Sequence, residues 1–375
     1  MEDKKQVSVA FLALDPYIER NIPSPKETVI AGKDLVQWGD LNRYPEFLWE
    51  LYGTVPSLRS IINGTADFIT GDSQTFQLPG YEPGIVNTRG GTVRSVVEAL
   101  AIDYETFGAF AIQVIRDLSG EVAEVYHCPV RYLRSNKENT VFYYSEKWGI
   151  AGRHKPARYP AFMPIPPERW AQLTDEEKDG NASSILFVKN TITQTYPSPI
   201  YAAAVNDCET ERQVSMYHLN AVNNNFEPSC IINFNNGTPD DETRQEIEKD
   251  VEEKFSGAAN ARRIMLSFNP DKENATTFEY PKTEAFGSRY TALSKHIRQQ
   301  IFTAFRANPN LFGIPTESLG FSQEEYEAAF RLYNRTMVRP VQRKICDAFD
   351  RIFGGTGVLT ITPFSLEEGQ EKKVS

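Results

Sequence analysis

The chain has 375 residues, with 40 basic against 50 acidic side chains, a formal net charge of −10 at pH 7, and 40% hydrophobic, 12% aromatic and 24% charged residues. Such a composition excludes disorder and collagen-like repeats, and this length divides into two or three structural units. No apolar stretch approaches the ~18–20 residues needed to cross a bilayer, so the sequence reads as a soluble protein with no membrane partner.

The apolar run Val7 to Leu14 follows Lys4 and Lys5 but lacks a small-residue cleavage site, and it reads as a strand rather than a signal segment. Tyr44 to Thr70 has helical periodicity through Phe47, Leu48, Leu51, Leu58, Ile61, Ile62, Ala66 and Ile69, broken into two helices at Pro56. Thr92 to Phe107 repeats the pattern and Gly108 stops it. The period then changes. Ala109 to Arg116, Glu121 to His127, Arg131 to Asn136 and Thr140 to Tyr144 are short β-branched or aromatic runs between turn residues, which predicts an antiparallel meander. Residues 1–197 are therefore expected to form an α+β domain, with the proline-rich Gly149 to Ser184 as a solvated loop and Ile185 to Val188 as a buried strand.

Ser198-Pro199 has the chemistry of a helix start, and no breaker follows until Pro228, which predicts a helix of about 28 residues and ~42 Å. Its faces mix apolar and charged side chains, a pattern suited to contact with like neighbours. Residues 228–281 read as a small strand, helix, strand insert with a further strand at Thr276 to Tyr280. The helix from Thr238-Pro239 to Ser256 carries an acidic face that includes Glu246, Asp250 and Glu253. A second long helix follows at Glu284 to Arg306, with Ile297, Ile301 and Phe305 on one face and Lys295, Arg298 and Gln299 on others. Asn308 to Phe321, with Pro309, Pro315, Gly313 and Gly320, is a loop between helices. Ser322 and Glu325 form a capping box for a helix kinked by Pro340. Gly357 to Thr362 is a last strand returning to the first domain.

Enzyme signatures are absent: the sequence holds no GxxxxGK[ST], GxGxxG, HExxH or GxSxG. The cysteines Cys128, Cys208, Cys230 and Cys346 are far apart and read as reduced thiols. His127-Cys128 is the closest pair of soft ligands, and neighbours on a strand point to opposite faces, so a structural pair is the better reading. No catalytic residue, metal or cofactor is expected.

The order of units carries more than any motif. An α+β domain, a long helix, a small insert, a second long helix, a Pro/Gly loop and a returning helix resembles the portal proteins of tailed bacteriophages. Trp38-Gly39 with Asn42-Arg43-Tyr44-Pro45, and Asp103-Tyr104-Glu105-Thr106-Phe107-Gly108-Ala109, look like that family's first domain. Tyr196-Pro197-Ser198-Pro199 looks like the start of its stem, with Pro197 where the family often has Gly. Phe226-Glu227-Pro228-Ser229 looks like the start of its clip, and Pro309 with Leu311-Phe312-Gly313 like its Pro, Leu and Gly element.

The resemblance implies an α+β portal fold. Residues 1–197 would be the wing, 198–227 the first stem helix, 228–281 the clip, 282–307 the second stem helix, 308–321 the tunnel loop and 322–375 the returning wing, with a minimal or absent crown. It implies a ring of about twelve subunits at one capsid vertex. Double-stranded DNA would pass non-specifically through this ring during packaging and ejection. It also implies terminase, head-tail adaptor and capsid or scaffold protein as partners, and assembly in a bacterial host's cytoplasm. The tunnel loop would present Asn308, Asn310, Leu311, Thr316, Glu317 and Ser318 to the DNA. Lys295 and Arg298 would be stem channel candidates, and Glu246, Asp250 and Glu253 the clip's partner face. A nucleic-acid-processing enzyme or adaptor with a long-helix insert is the alternative class.

Overall fold

The computed structural model describes residues 8–12, 22–30, 34–77, 84–150, 155–223, 230–234, 239–240, 242–243, 245–247, 249, 264–268, 284–313 and 323–365. The chain divides into two compact units, a larger one of Ile22–Glu209 with Ile297–Ser375 and a smaller one of Met1–Asn21 with Thr210–His296.

In the larger unit the helices Tyr44–Thr54 and Pro56–Thr70 meet at Val55, whose extended backbone is the conformation a following proline imposes. The Val93–Phe107 helix is capped by a reciprocal pair, the Thr92 and Ser95 side chains each bonding the other's backbone amide, and it ends at Gly108 in the left-handed conformation. There is no room for a side chain at Gly108, since a Cβ would lie 2.5 Å from the Ser198 carbonyl oxygen. The Ala109–Arg116 strand that follows is the centre of an antiparallel sheet, with Ser183–Lys189 on one side and Val122–His127 on the other. Its first four residues are all buried, because both faces of this strand are covered.

The expected four-strand meander is two sheets. After His127, Pro129 and a 3-10 turn at Val130–Tyr132 turn the chain away, and Leu133–Ser135 pairs with Val141–Tyr144 and then Ala157–Pro160 in a second sheet. A proline lacks the amide needed to continue the first ladder. The segment 149–184, expected as a loop, contains that third strand and two short helices, Pro167–Ala171 and Asp175–Asn181. The latter is capped by Thr174 and Glu177.

The helix expected from Ser198 starts later. Pro199 to Ala204 close 3-10-type bonds, Ala202 N–H to the Pro199 carbonyl and Ala204 N–H to the Tyr201 carbonyl, and the α-helix runs Val205–Asn223. Tyr201 causes the delay. It is fully buried, stacks on Phe305 at 5.2 Å and donates its hydroxyl to the Thr106 carbonyl at 3.0 Å, which holds the backbone in the tighter turn.

The C-terminal part of the unit is one helical run: Gln323–Tyr333, a π-helical segment Asn334–Val338, and Arg339–Phe353. The Arg339 amide bonds the Asn334 carbonyl five residues back, one residue more than in an α-helix, immediately before Pro340, which has no amide to offer. Gln342 crosses to the end of the Pro56–Thr70 helix, donating to the Phe68 and Ile69 carbonyls at 3.3 and 3.0 Å. Leu359–Thr362 closes the unit by pairing antiparallel with Ser73–Phe76. Ser322 and the tail after Ser365 lie outside the described residues.

In the smaller unit Cys230–Phe234 and Ile264–Phe268 are parallel neighbours, and residues 242–243, 245–247 and 249 between them are helical. The strand Ser8–Leu12, expected within the first domain, instead pairs antiparallel with Ile264–Phe268 and belongs to this sheet. The expected strand at Thr276 to Tyr280 lies outside the described residues. The second long helix spans Glu284–Ala304.

Candidate functional site

The segment joining the Glu284–Ala304 helix to the Gln323–Tyr333 helix starts from a tightly specified turn. Arg306 adopts φ 52°, its amide bonds the Thr303 carbonyl at 3.0 Å, and the Ala307 amide reaches back to Phe302 at 2.9 Å, so the last carbonyls of the helix are satisfied. Asn308 then caps a 3-10 turn, Pro309–Phe312, by accepting from the Asn310 amide at 3.1 Å. The region expected as irregular thus begins with one ordered turn, for which Pro309 at the first position is preorganised.

That turn is anchored. Leu311 is buried, while Asn308 and Asn310 are half-buried. The Phe312 ring lies 6.1 Å from Phe68, 6.1 Å from Phe302 and 5.7 Å from Tyr333, and its carbonyl accepts from Ser60 Oγ at 3.3 Å. Gly64 makes the approach possible, since a Cβ there would sit 2.7 Å from the Phe312 ring. On the far side Phe330 packs edge-on to the same Phe68 at 5.3 Å. Both ends of residues 313–323 are therefore fixed to one aromatic cluster on the Pro56–Thr70 helix. Thr316, Glu317 and Ser318 lie outside the described residues, and 308–321 contains no Lys or Arg.

Lys295 and Arg298 are exposed on the second long helix, whereas Ile297, Ile301, Phe302 and Phe305 are buried. Glu246 is exposed on the helical stretch of the smaller unit, and Asp250 and Glu253 lie outside the described residues.

The His127-Cys128 pair has a structural role. His127 Nε2 lies 2.8 Å from Asp103 Oδ2, which also accepts from the Val130 amide at 2.9 Å, so the carboxylate holds the turn after the strand. Burial pushes the Cys128 thiol up to about 12, which leaves it protonated and a poor nucleophile. Among the described residues no group of three or more His, Cys, Asp or Glu side chains gathers as a metal site, and no helix is long and apolar enough to cross a membrane.

Two features escaped the sequence reading. Arg134 is fully buried, between the rings of Trp38 and Trp148, and anchored on Asn42. Arg335, Arg339 and Arg343 line a groove of about 560 Å³ together with Gln342, Cys346, Asp347, Leu359, Thr360, Ile361 and Pro363. Only the second left a signal, the spacing of one arginine every fourth residue.

The family model described as phage portal protein matches residues 89–364. No curated protein matches the chain. Among solved structures, the neck of an empty gene transfer agent (GTA) particle computed with C6 symmetry has a TM-score of 0.50 at 16% identity, over 92% of this chain and 87% of that one. The neck of the native GTA particle computed with C12 symmetry gives 0.49 at 16% identity, over 92% and 88%. An HK97 family phage portal protein from Corynebacterium diphtheriae gives 0.46 at 11% identity, over 84% and 93%. The match to the family model runs from the Val93–Phe107 helix through both long helices to the final strand, and on it the chain belongs to the phage portal protein family.

Proposed function

We propose that copies of this chain close into a ring of about twelve at one vertex of a capsid, and that the ring is the channel through which double-stranded DNA is packaged and later leaves. The observation that carries this reading is the family match over residues 89–364. The C6 symmetry of the GTA neck whose fold this chain shares is compatible with twelve copies. The long helices add physical support. Met216 and Leu219 on Val205–Asn223 and Leu293 on Glu284–Ala304 are 50%, 60% and 40% exposed, and apolar side chains so placed are covered when like helices stand side by side.

Within that ring, residues 198–227 and 282–307 form the stem, 228–281 the clip with Ser8–Leu12 added to its sheet, and 308–321 the tunnel loop. Lys295 and Arg298 are offered to the channel. Leu311 anchors the loop and Asn308 and Asn310 flank it, so the DNA-facing part is 313–321, with Thr316, Glu317 and Ser318. A segment without cations on a chain of net charge −10 binds duplex weakly, because few phosphates are neutralised and few counterions released, and a weak contact lets DNA slide. The clip, with Glu246, Asp250 and Glu253, receives terminase and then the head-tail adaptor, and the wing meets capsid or scaffold protein. The chain itself supplies no catalysis in this reading, and the motor is a separate protein.

Mass measurement on the full-length protein in solution tests this reading. A discrete species near twelve subunit masses supports it, and a monomer or dimer under all salt and concentration conditions overturns it.

A further inference from the structure

Positive charge is concentrated on one stretch of helix. Residues 331–353 hold six basic against two acidic side chains, in a chain with 40 against 50. Arg335, Arg339 and Arg343 are exposed, and among the described residues none of them makes an ion pair or hydrogen bond. Like charges one turn apart on a helix repel, so this row works against the helix until an anion covers it. In an ordinary α-helix four residues overshoot one full turn by about 40°. The π-helical segment Asn334–Val338 lies between Arg335 and Arg339 and takes more residues per turn, which brings the second arginine back over the first. From Arg335 to Arg343 the helix rises about 12 Å, so three guanidinium groups follow one another at roughly 6 Å intervals.

The surroundings of the row decide the kind of anion. Behind it Leu359 and Ile361 are buried in the chain's own core, and the Gln342 amide is engaged with the Phe68 and Ile69 carbonyls, so the floor of the groove is closed. An acidic protein segment would find charge here but no apolar recess to seat an anchoring side chain, the feature at the centre of protein interfaces. None of the residues lining the groove is aromatic, so unpaired bases have no face to stack on. What remains is a line of guanidinium forks beside the exposed Thr360, and arginine with hydroxyl side chains is a combination that binds phosphate oxygens. Asp347, past Arg343, repels an anion and ends the row at three. Duplex DNA carries one charge per ~1.7 Å of its axis, dense enough for each arginine to meet a phosphate.

We infer that Arg335, Arg339 and Arg343 form a sequence-independent contact for the phosphate backbone of double-stranded DNA. The choice of ligand rests on the DNA-channel reading above. The contact differs in kind from the tunnel loop: residues 308–321 carry no cation, whereas the helical run that follows them carries three in line. The loop lets a duplex slide, and the row holds it by reversible charge pairing that salt screens.

The test titrates a fluorescent duplex oligonucleotide of arbitrary sequence with the full-length protein and reads anisotropy at about 50 and about 200 mM salt. Circular dichroism confirms folding of each variant. Three phosphate contacts give a slope of about −2.7 in log affinity against log salt, so wild type should lose about fortyfold more affinity over this range than R335Q/R339Q/R343Q. Each single arginine-to-glutamine change should remove about a third of that difference in slope. R335K/R339K/R343K keeps the charges without the forks and should bind within about threefold of wild type. R351Q, which removes an exposed arginine outside the row, should bind as wild type does. Wild type that binds no duplex at the lower salt, or equal salt slopes in wild type and the triple glutamine variant, overturn the contact. So does a triple glutamine variant that binds duplex normally and no longer assembles, which would assign the row to an acidic protein surface. Wild type that binds duplex through these arginines yet never leaves the monomer refutes the ring reading and leaves this contact standing, whereas normal rings whose duplex binding ignores the three arginines refute this contact alone.

Discussion

Asn42 and Arg134 hold each other in the core of the larger unit: the Arg134 guanidinium donates from Nε to Asn42 Oδ1 at 3.2 Å and from Nη2 to the Asn42 carbonyl at 2.6 Å. The same Asn42 Oδ1 accepts from the Trp38 amide at 2.8 Å. Arg134 also donates to the Arg131 and Leu133 carbonyls. Burial lowers its pKa to about 10, so the guanidinium stays charged at neutral pH. Carbonyl dipoles and two tryptophan faces stabilise the cation, and the charge of Glu46 favours it as well. Asn42 suits this post because it tolerates φ 62°, a left-handed conformation that costs most side chains energy.

Asn42→Ala should therefore destabilise the protein by about 3 kcal/mol, the sum of buried donors left unmade and backbone strain. Asn42→Gly, which removes the strain but not the lost acceptor, should recover about 1 kcal/mol of that. Urea unfolding of the two variants beside wild type measures both parts, and equal losses would mean that the backbone conformation contributes nothing.

Glu105 makes a pH-dependent prediction. Its carboxyl is wholly buried in the Val93–Phe107 helix, Oε2 has no hydrogen-bond partner among the described residues, and burial pushes its pKa up to about 8. The folded chain thus keeps a proton that the unfolded chain releases at the ordinary carboxylate pKa. The stability this supplies is complete below about pH 4.5 and is lost as pH rises toward 8. Glu105→Gln cannot ionise, so its urea midpoint should fall less than that of wild type between pH 5.5 and pH 8.5. Parallel falls in the two proteins would contradict the assignment.

Gly64→Ala tests the anchor of the loop. The added methyl meets the Phe312 ring and forces it to shift, at a cost of about 1–2 kcal/mol by overpacking. Hydrogen exchange at 309–313 should accelerate more than in the Pro56–Thr70 helix. Unchanged protection at 309–313 would show that Phe312 does not hold the turn.

Much of the larger unit was legible because its signals are local. The break at Pro56, the cap at Thr92, the stop at Gly108 and the final strand all follow from residues within a few positions of each boundary. What local pattern cannot carry is pairing. Ser8–Leu12 finds its neighbour at Ile264–Phe268, and a strand's alternation says nothing about a partner so distant in sequence. The late start of the first long helix is likewise a tertiary effect, set by Tyr201 reaching Thr106. The Pro/Gly composition of 308–321 announced a break between helices, but the ordered turn inside it depends on Gly64 of another helix. Asn42 stands in the Asn42-Arg43-Tyr44-Pro45 stretch that carries part of the family resemblance, whereas Arg134, its partner, lies in an unremarkable strand sequence with no feature to mark it as buried.

Shortening residues 314–320 while keeping both flanking helices should leave ring assembly intact, because the aromatic cluster around Phe68 fixes the two ends independently. Packaging or retention of DNA should fall. Rings that package and retain full-length DNA with the shortened loop would make it a plain connection.

The central claim is a ring with an open axis, and imaging the purified full-length protein by electron microscopy addresses it most directly. The account predicts end-on views of closed rings of about twelve subunits around a single central channel. Particles with no central hole, or open filaments alone, would contradict it.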